Sequence, residues 1–230
     1  MKNEHMVQGI LLDLDGTLVD SNDAHAMAWK DALDDLGLRT SFLEIRRCIG
    51  MGSDRLLPKL AGVEKGSIRG KEVSDLRAQI FRNEYFPQIK AFPYSRELIQ
   101  RMHESRLKIG VFSSSDREEV ESMLKKIGIE DYIEFCVSGS DVEASKPATD
   151  GVRVALDRFQ LEPSDILLLG DTPYDIEAGA QIGVKTVALR TGGWSDRDLK
   201  GAMVIYDNPQ DAYIQFDSAP WSRRMIQTAA

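Results

Sequence analysis

The sequence predicts an α/β fold: a parallel sheet covered by helices on both faces, with a small helical domain inserted after the first strand. Three observations carry that expectation. Short, continuous apolar runs recur along the chain, as strands buried on both faces require. Most are followed by a polar turn and then a stretch of helical periodicity, the rhythm of strand–helix–strand units. One connection, between the first and second runs, is far too long for a single helix and looks helical almost throughout.

The elements follow in order. Residues 9–14 (GILLDL) form the first apolar run. Ser21 is a cap-type residue opening a helical stretch over 21–37, and Gly37 closes it. The stretches 53–62 (SDRLLPKLAG) and 67–89 continue in helical pattern, and AFP at 91–93 marks a return to the sheet. A helix over 94–106 leads into the strand KIGVF (108–112). The strands FCVS (135–138), DILLLG (165–170), VKTVAL (184–189) and, more weakly, AMVIY (202–206) then alternate with helices over 116–128, 149–160 and 173–183. This is a Rossmann-like sheet. The expected domains are residues 1–19 with 90–230 as the α/β core, and 20–89 as the helical insert. Residues 217–230 are polar and small, so little order is expected there.

Composition narrows the function. A chain of 230 residues accommodates one sizeable domain, or one with a smaller insert. A 42% hydrophobic and 29% charged chain is an ordinary globular protein. Its net charge of -8 provides no electrostatic footprint for nucleic acid. No apolar run reaches the ~18 residues of a membrane span, and the first residues lack the apolar core of a signal peptide. Cys48 and Cys136 have no metal-type spacing and read as reduced thiols. The expectation is a cytoplasmic protein with no nucleic-acid or membrane partner, a monomer or small homo-oligomer.

The informative residues sit at strand ends. The first run ends in Asp13-Leu14-Asp15-Gly16-Thr17, although Asp is disfavoured in strands and costly to bury unpaired. The second ends in Ser113-Ser114-Ser115, Lys146 follows the third, and the fourth ends in Gly170-Asp171-Thr172-Pro173-Tyr174-Asp175. Neighbouring parallel strands would bring all four to one edge of the sheet, where such folds bind ligands. Carboxylates gathered there repel one another unless a hard cation intervenes, and oxygen donors suit Mg²⁺. Metal, carboxylate, hydroxyl and ammonium together point to phosphoryl chemistry. Asp13 can serve as nucleophile, Asp15 as acid and base, Ser113 and Lys146 as phosphate holders, Asp171 as metal ligand and Asp175 as a ligand or an orienting group. Each motif has a plain alternative. DxDGT can be a turn, GDTPYD a capped helix start, SSS an ordinary connection and Lys146 a solvated charge. All four in this order, each after a strand, are far more specific than any one.

These motifs resemble those of the haloacid dehalogenase (HAD) superfamily of Mg²⁺-dependent phosphohydrolases, in its phosphoglycolate phosphatase-like and β-phosphoglucomutase-like branch. DLDGTLVD is similar to its first motif, FSSS to the second, Lys146 in SKPATDG to the third and GDTPYD to the fourth. The resemblance covers the chain to about residue 208. It implies a phosphatase acting on a small phosphorylated metabolite through an aspartyl-phosphate on Asp13, with Asp15 as acid/base and Ser113 and Lys146 assisting. It implies Mg²⁺ at Asp13, Asp15, Asp171 and Asp175, and a helical cap that closes over the site and selects substrate. Ser114 and His25 are expected to face substrate. Arg55, in IGMGSDR (49–55), is expected to meet an anionic substrate group. A phosphomutase using the same core residues stays open, because the difference lies in how the cap binds substrate. A 2-haloacid dehalogenase fits less well, since it needs neither Mg²⁺ nor Asp15. A binding module with a silent site would lack one of the acids, and all are present. Trp29 and Phe42 read as packing residues, and Arg190 with Thr191 to Trp194 as a border of the site.

Overall fold

The computed structural model describes residues 6–222. Strand β1 (Gly9–Leu12) is followed by a two-residue strand β2 (Val19–Asp20) and by helices α1 (Asn22–Asp35), α2 (Phe42–Arg46), α3 (Ser53–Ala61) and α4 (Ile68–Ile80). After α4 a π-helical turn over Phe81–Tyr85 leads to a short strand β3 (Lys90–Ala91). Then come α5 (Ser95–Glu104), β4 (Lys108–Phe112), α6 (Arg117–Ile127), β5 (Phe135–Val137) and α7 (Asp150–Phe159). The chain continues through β6 (Ile166–Gly170), α8 (Pro173–Ala180), β7 (Lys185–Leu189), β8 (Val204–Tyr206) and α9 (Pro209–Ile214).

Six of these strands form one parallel sheet in the order β5-β4-β1-β6-β7-β8. The chain builds outward from β1 to β4 and β5, then crosses back to β6. The order therefore reverses at β1, and the crevice beyond its carboxyl end is the position where such sheets bind ligands. Period-two alternation sends Ile10 and Leu12 to one face, against α5, α6 and α9, and Leu11 to the other, against α7 and α8. Each fully buried Leu or Ile of this kind contributes roughly 1.5–3 kcal/mol.

Helices α1 to α4 build a separate apolar cluster around Trp29, Leu33, Ile45, Leu56, Leu57 and Val73, with Cys48 buried inside it. The ends of this helical segment are joined by a ladder that sequence patterning does not reveal: β2 and β3 pair antiparallel, Val19 with Ala91 and Asp20 with Lys90. Two residues per strand are too few for a period to show. Helices α2 and α9 are likewise short and unforeseen.

The expectation of little order from residue 217 is overturned for the described part. Ala219 and Trp221 are buried, and the Trp221 ring lies about 6 Å from both Tyr206 and Phe216. One large aromatic side chain anchors a stretch of otherwise small and polar residues. The expectation over 223–230 lies outside the described residues. Among the described residues, no helix is long and apolar enough to cross a membrane.

Candidate active site

The site is built at the carboxyl end of β1. Asp13 continues the ladder for one more residue, donating its backbone N–H to Leu169 O at 2.8 Å. Its side chain is buried, with Oδ1 2.6 Å from Lys146 Nζ. The same ammonium lies 2.7 Å from Asp175 Oδ1 and sits over the Phe112 ring. Thr172 and Asp175 form a capping box at the start of α8, with Pro173 in the first turn, so the helix start itself holds Asp175 in place. Asp171 is held at both oxygens: Thr17 Oγ1 donates to Oδ1 at 3.0 Å, and Asn22 Nδ2 to Oδ2 at 2.9 Å. Gly16 is required here. Its φ is +77°, and a Cβ would lie 2.2 Å from Asp171 Oδ2 and 1.9 Å from Asn22 Nδ2.

Carboxylate oxygens of Asp13, Asp171 and Asp175 lie within 4.8 Å of one another, all three residues buried. Burial, with Asp175 and Asp171 nearby, pushes the Asp13 carboxyl well above its usual range despite the pull of Lys146. Burial and the charge of Asp175 push Asp171 up to about 6, against the hydrogen bonds it receives. Burial works to lower Lys146, but Asp13 and Asp175 outweigh it and raise the ammonium above its usual value. Three acids face one ammonium, a surplus that a hard divalent cation with oxygen ligands would offset. Asn22 Oδ1, buried beside the cluster, has no hydrogen-bond partner among the described residues. The donor set thus fits a divalent cation bound near Asp13 and Asp171.

Asp15 differs from the expectation that groups it with the metal carboxylates. Its side chain turns away from the cluster and is fully engaged elsewhere. Oδ1 accepts from Ser21 Oγ at 2.6 Å and His25 Nε2 at 2.7 Å. Oδ2 accepts from Ser115 Oγ at 3.1 Å and Ser113 Oγ at 3.3 Å. Burial works to raise this carboxyl, but the hydrogen bonds it accepts from His25, Ser21 and Ser115 win, holding it well below the carboxylate range. Arg77 NH2 lies 2.8 Å from His25 Nδ1. A guanidinium only donates, so Nδ1 accepts and the ring proton sits on Nε2, aimed at Asp15. His25 also stacks on Phe81 at 4.1 Å, and Arg77 pairs with Glu119 of α6.

The segment after α2 closes the site from above. Ser114 Oγ donates to Gly50 O at 2.9 Å, and Gly52 N donates to Ser145 Oγ at 2.8 Å. Arg55 does not reach the cavity as expected. Its Nε donates to Ser145 O at 3.1 Å, because Asp54 and Ser145 bind each other and draw α3 against that loop. The cavity between them is about 200 Å³, with Asp13, Asp15, His25, Ser113 and Ser114 in its wall. Trp29, read as a packing residue, lines it too. Thr17, Ser21, Asn22, Ser115 and Arg77 are participants that sequence reasoning missed. Ser21 and Asn22 carried a signal, their place just after the acidic motif, but read equally well as a helix start. Arg77, far along the chain in an unremarkable helix, carried none.

The family described as "Haloacid dehalogenase-like hydrolase" matches residues 10–189 of this chain. A phosphoglycolate phosphatase of Aquifex aeolicus (strain VF5) is 31% identical over 188 residues, 80% of this chain and 84% of that protein. Pyrophosphatase PpaX of Oceanobacillus iheyensis is 25% identical over 84% of this chain and 86% of its own. The crystal structure of a hydrolase from Pseudomonas syringae superposes with a TM-score of 0.85 at 28% identity, covering 92% of this chain and 98% of that one.

Proposed function

Since the chain belongs to the haloacid dehalogenase-like hydrolase family, we propose that it is a Mg²⁺-dependent phosphatase that hydrolyses a small phosphate monoester through an aspartyl-phosphate on Asp13. One observation carries this reading. Asp13 lies at the floor of a small cavity, its carboxylate shared between an ammonium and two further acids, while Asp15 lies two residues on in a separate hydrogen-bonded niche. Two carboxylates in such different environments suit two different roles.

In the first step an Asp13 oxygen attacks phosphorus and the ester P–O bond breaks. The electron pair leaves with the alcohol oxygen, which takes a proton from Asp15. In the second step water attacks phosphorus, gives a proton to Asp15, and the bond to Asp13 breaks to release phosphate. In the free site Asp15 is ionised, the form the second step needs, so the first draws its proton with an ester arriving as the monoanion. Ser113 and Lys146 hold the phosphoryl oxygens. Mg²⁺, held by Asp13 and Asp171 with Asp175 beside them, would supply positive charge against the transferring group. Residues 20–89 act as a cap domain hinged at the β2–β3 ladder, shutting out bulk water while the acyl phosphate exists. His25 and the segment from Gly50 to Ser53 on the cap, with Ser114 on the core, face the substrate across the cavity.

The test is release of inorganic phosphate from para-nitrophenyl phosphate and a panel of small phosphate esters. Turnover is expected with Mg²⁺, is lost in EDTA, and falls at least ~10³-fold in Asp13→Asn. An Asp13→Asn protein that kept its activity would sink the proposed nucleophile.

A further inference from the structure

The two oxygens of Asp15 are held from different sides. Oδ2 accepts from Ser113 and Ser115, in the turn that leads into α6. Oδ1 accepts from Ser21, where the helical segment begins, and from His25 on α1. The His25 ring is fixed in turn by Arg77 of α4, whose NH2 donates to Nδ1 at 2.8 Å. Arg77 NH1 then crosses back and donates to Glu119 of α6. One short stretch, residues 113–119, therefore reaches both oxygens of Asp15. It reaches Oδ2 directly, and Oδ1 through Arg77 and His25.

Stability does not account for the outer end of this chain. Arg77 and Glu119 are only 11% and 9% exposed. They are joined by NH1 and Oε1, while Arg77 Nε and Glu119 Oε2 are shielded and unpartnered among the described residues. A buried ion pair satisfied on one side only repays little of its desolvation. What the pair does fix is direction. The guanidinium packs 5.3 Å from the Trp29 ring centroid and 5.1 Å from that of Phe81, with one nitrogen on Glu119 and another on His25. Glu119 is itself anchored, its backbone N–H donating to the Asp116 cap at 2.9 Å. A second pair, Arg82 with Glu118, spans the same seam. It is 58% and 70% exposed, neither residue lines the cavity, and such a pair contributes little.

We infer that Glu119 is a positioning residue for the proton transfers at Asp15: through Arg77 it fixes the His25 ring so that Nε2–H stays on Asp15 Oδ1. This rests on the phosphatase reading above, in which Asp15 gives and takes the proton. The experiment compares Glu119→Ala, Glu119→Gln and Glu118→Ala with the unaltered Mg²⁺-loaded full chain. The esters are para-nitrophenyl phosphate and the faster of two alkyl phosphates, glycerol 3-phosphate and ribitol 5-phosphate. An alkoxide needs a proton to leave, whereas para-nitrophenolate leaves without one. In Glu119→Ala, kcat/KM for the alkyl phosphate is expected to fall about 10-fold or more, and that for para-nitrophenyl phosphate to hold within about twofold. Glu119→Gln keeps an acceptor for Arg77 NH1 and recovers most of the loss, and Glu118→Ala matches the unaltered chain. Nitrogen NMR of ¹⁵N-histidine-labelled protein gives a reading independent of turnover. His25 is expected to be protonated at Nε2 and bare at Nδ1 in the unaltered chain and in Glu118→Ala, and to lose that signature in Glu119→Ala. If Glu119→Ala lowers both esters alike by raising KM, or leaves the His25 signature unchanged, the inference is overturned while the hydrolytic reading stands. If the unaltered chain hydrolyses no ester, the hydrolytic reading fails, and the His25 signature alone decides whether Glu119 sets the ring.

Discussion

At Asp15, donors from Ser21, His25, Ser113 and Ser115 converge on one carboxylate, and His25 is itself held by Arg77 and by stacking on Phe81. Removing His25 takes away an Nε2–H donor and leaves burial less opposed, so the Asp15 carboxyl rises. If Asp15 must be ionised to activate water in the second step, the acid limb of the kcat profile in His25→Ala moves to higher pH, and kcat falls about 10²-fold. His25→Gln, which can place an amide donor in the same niche, recovers part of both. Steady-state kinetics over pH 4–8 decide it: an acid limb that stays in place would show that His25 only packs. The residues of this site were unequally legible. Asp13, Asp15, Lys146 and Asp171 stand out because charged groups at the ends of buried strands demand an explanation. Thr17, Ser21 and Asn22 do not, since a hydroxyl or amide beside a helix start already has an ordinary use as a cap. Arg55 misled for the opposite reason. A basic residue in a glycine-rich turn invites a ligand, but nothing in the sequence shows that Ser145 and Asp54 will bind it into the seam.

Elements divide in the same way. The strands of the sheet are legible because burial on both faces makes them unbroken apolar runs, and the observed β4 coincides with the predicted 108–112. Helices such as α6 carry their own bounds, with Asp116 accepting from Glu119 N at the start and Gly128 in the left-handed region at the end. The β2–β3 ladder is invisible because its register is set by tertiary closure of the helical segment, not by local pattern. The turn after α9 is invisible because its order comes from one side chain. Trp221 is only 3% exposed and packs with Tyr206 and Phe216, so it joins the end of the described chain to the edge strand β8. Trp221→Ala removes a large buried ring, a change of about 3–5 kcal/mol. For a chain of this length that is a fall in Tm of roughly 10 °C, readable by calorimetry. Because Trp221 is not among the residues that line the cavity, kcat/KM measured below the transition is expected to hold. A Tm unchanged within about 2 °C would show that this turn is not docked.

For the whole molecule, the acid cluster couples stability to pH and to the cation. Without metal, burial and the charge of Asp175 push the Asp171 carboxyl of the folded protein up to about 6, from an ordinary value of 3.8. The folded state therefore holds this proton more tightly than the unfolded one. Between about pH 4 and pH 6 the unfolded chain has released it and the native chain has not, so stability falls as pH rises, by on the order of 3 kcal/mol. Asp13, raised in the same direction, adds to the trend. Asp15, held low, works oppositely, but its contribution is common to metal-free and metal-loaded protein and drops out of their difference. A divalent cation removes the penalty only where the acids are ionised. Saturating Mg²⁺ is therefore predicted to raise Tm by several degrees at pH 7.5 and by much less at pH 5, where protons compete for Asp171. Asp171→Asn keeps an amide of similar shape but removes one buried charge. In EDTA at pH 7.5 it is predicted to be more stable than the unaltered chain, by about 5 °C or more, while losing most of the response to Mg²⁺. Thermal unfolding of both proteins, with Mg²⁺ and with EDTA at the two pH values, tests the coupling. An Asp171→Asn protein less stable than its parent in EDTA would mean that the cluster is held together by its own hydrogen bonds and that charge repulsion is not what the cation relieves.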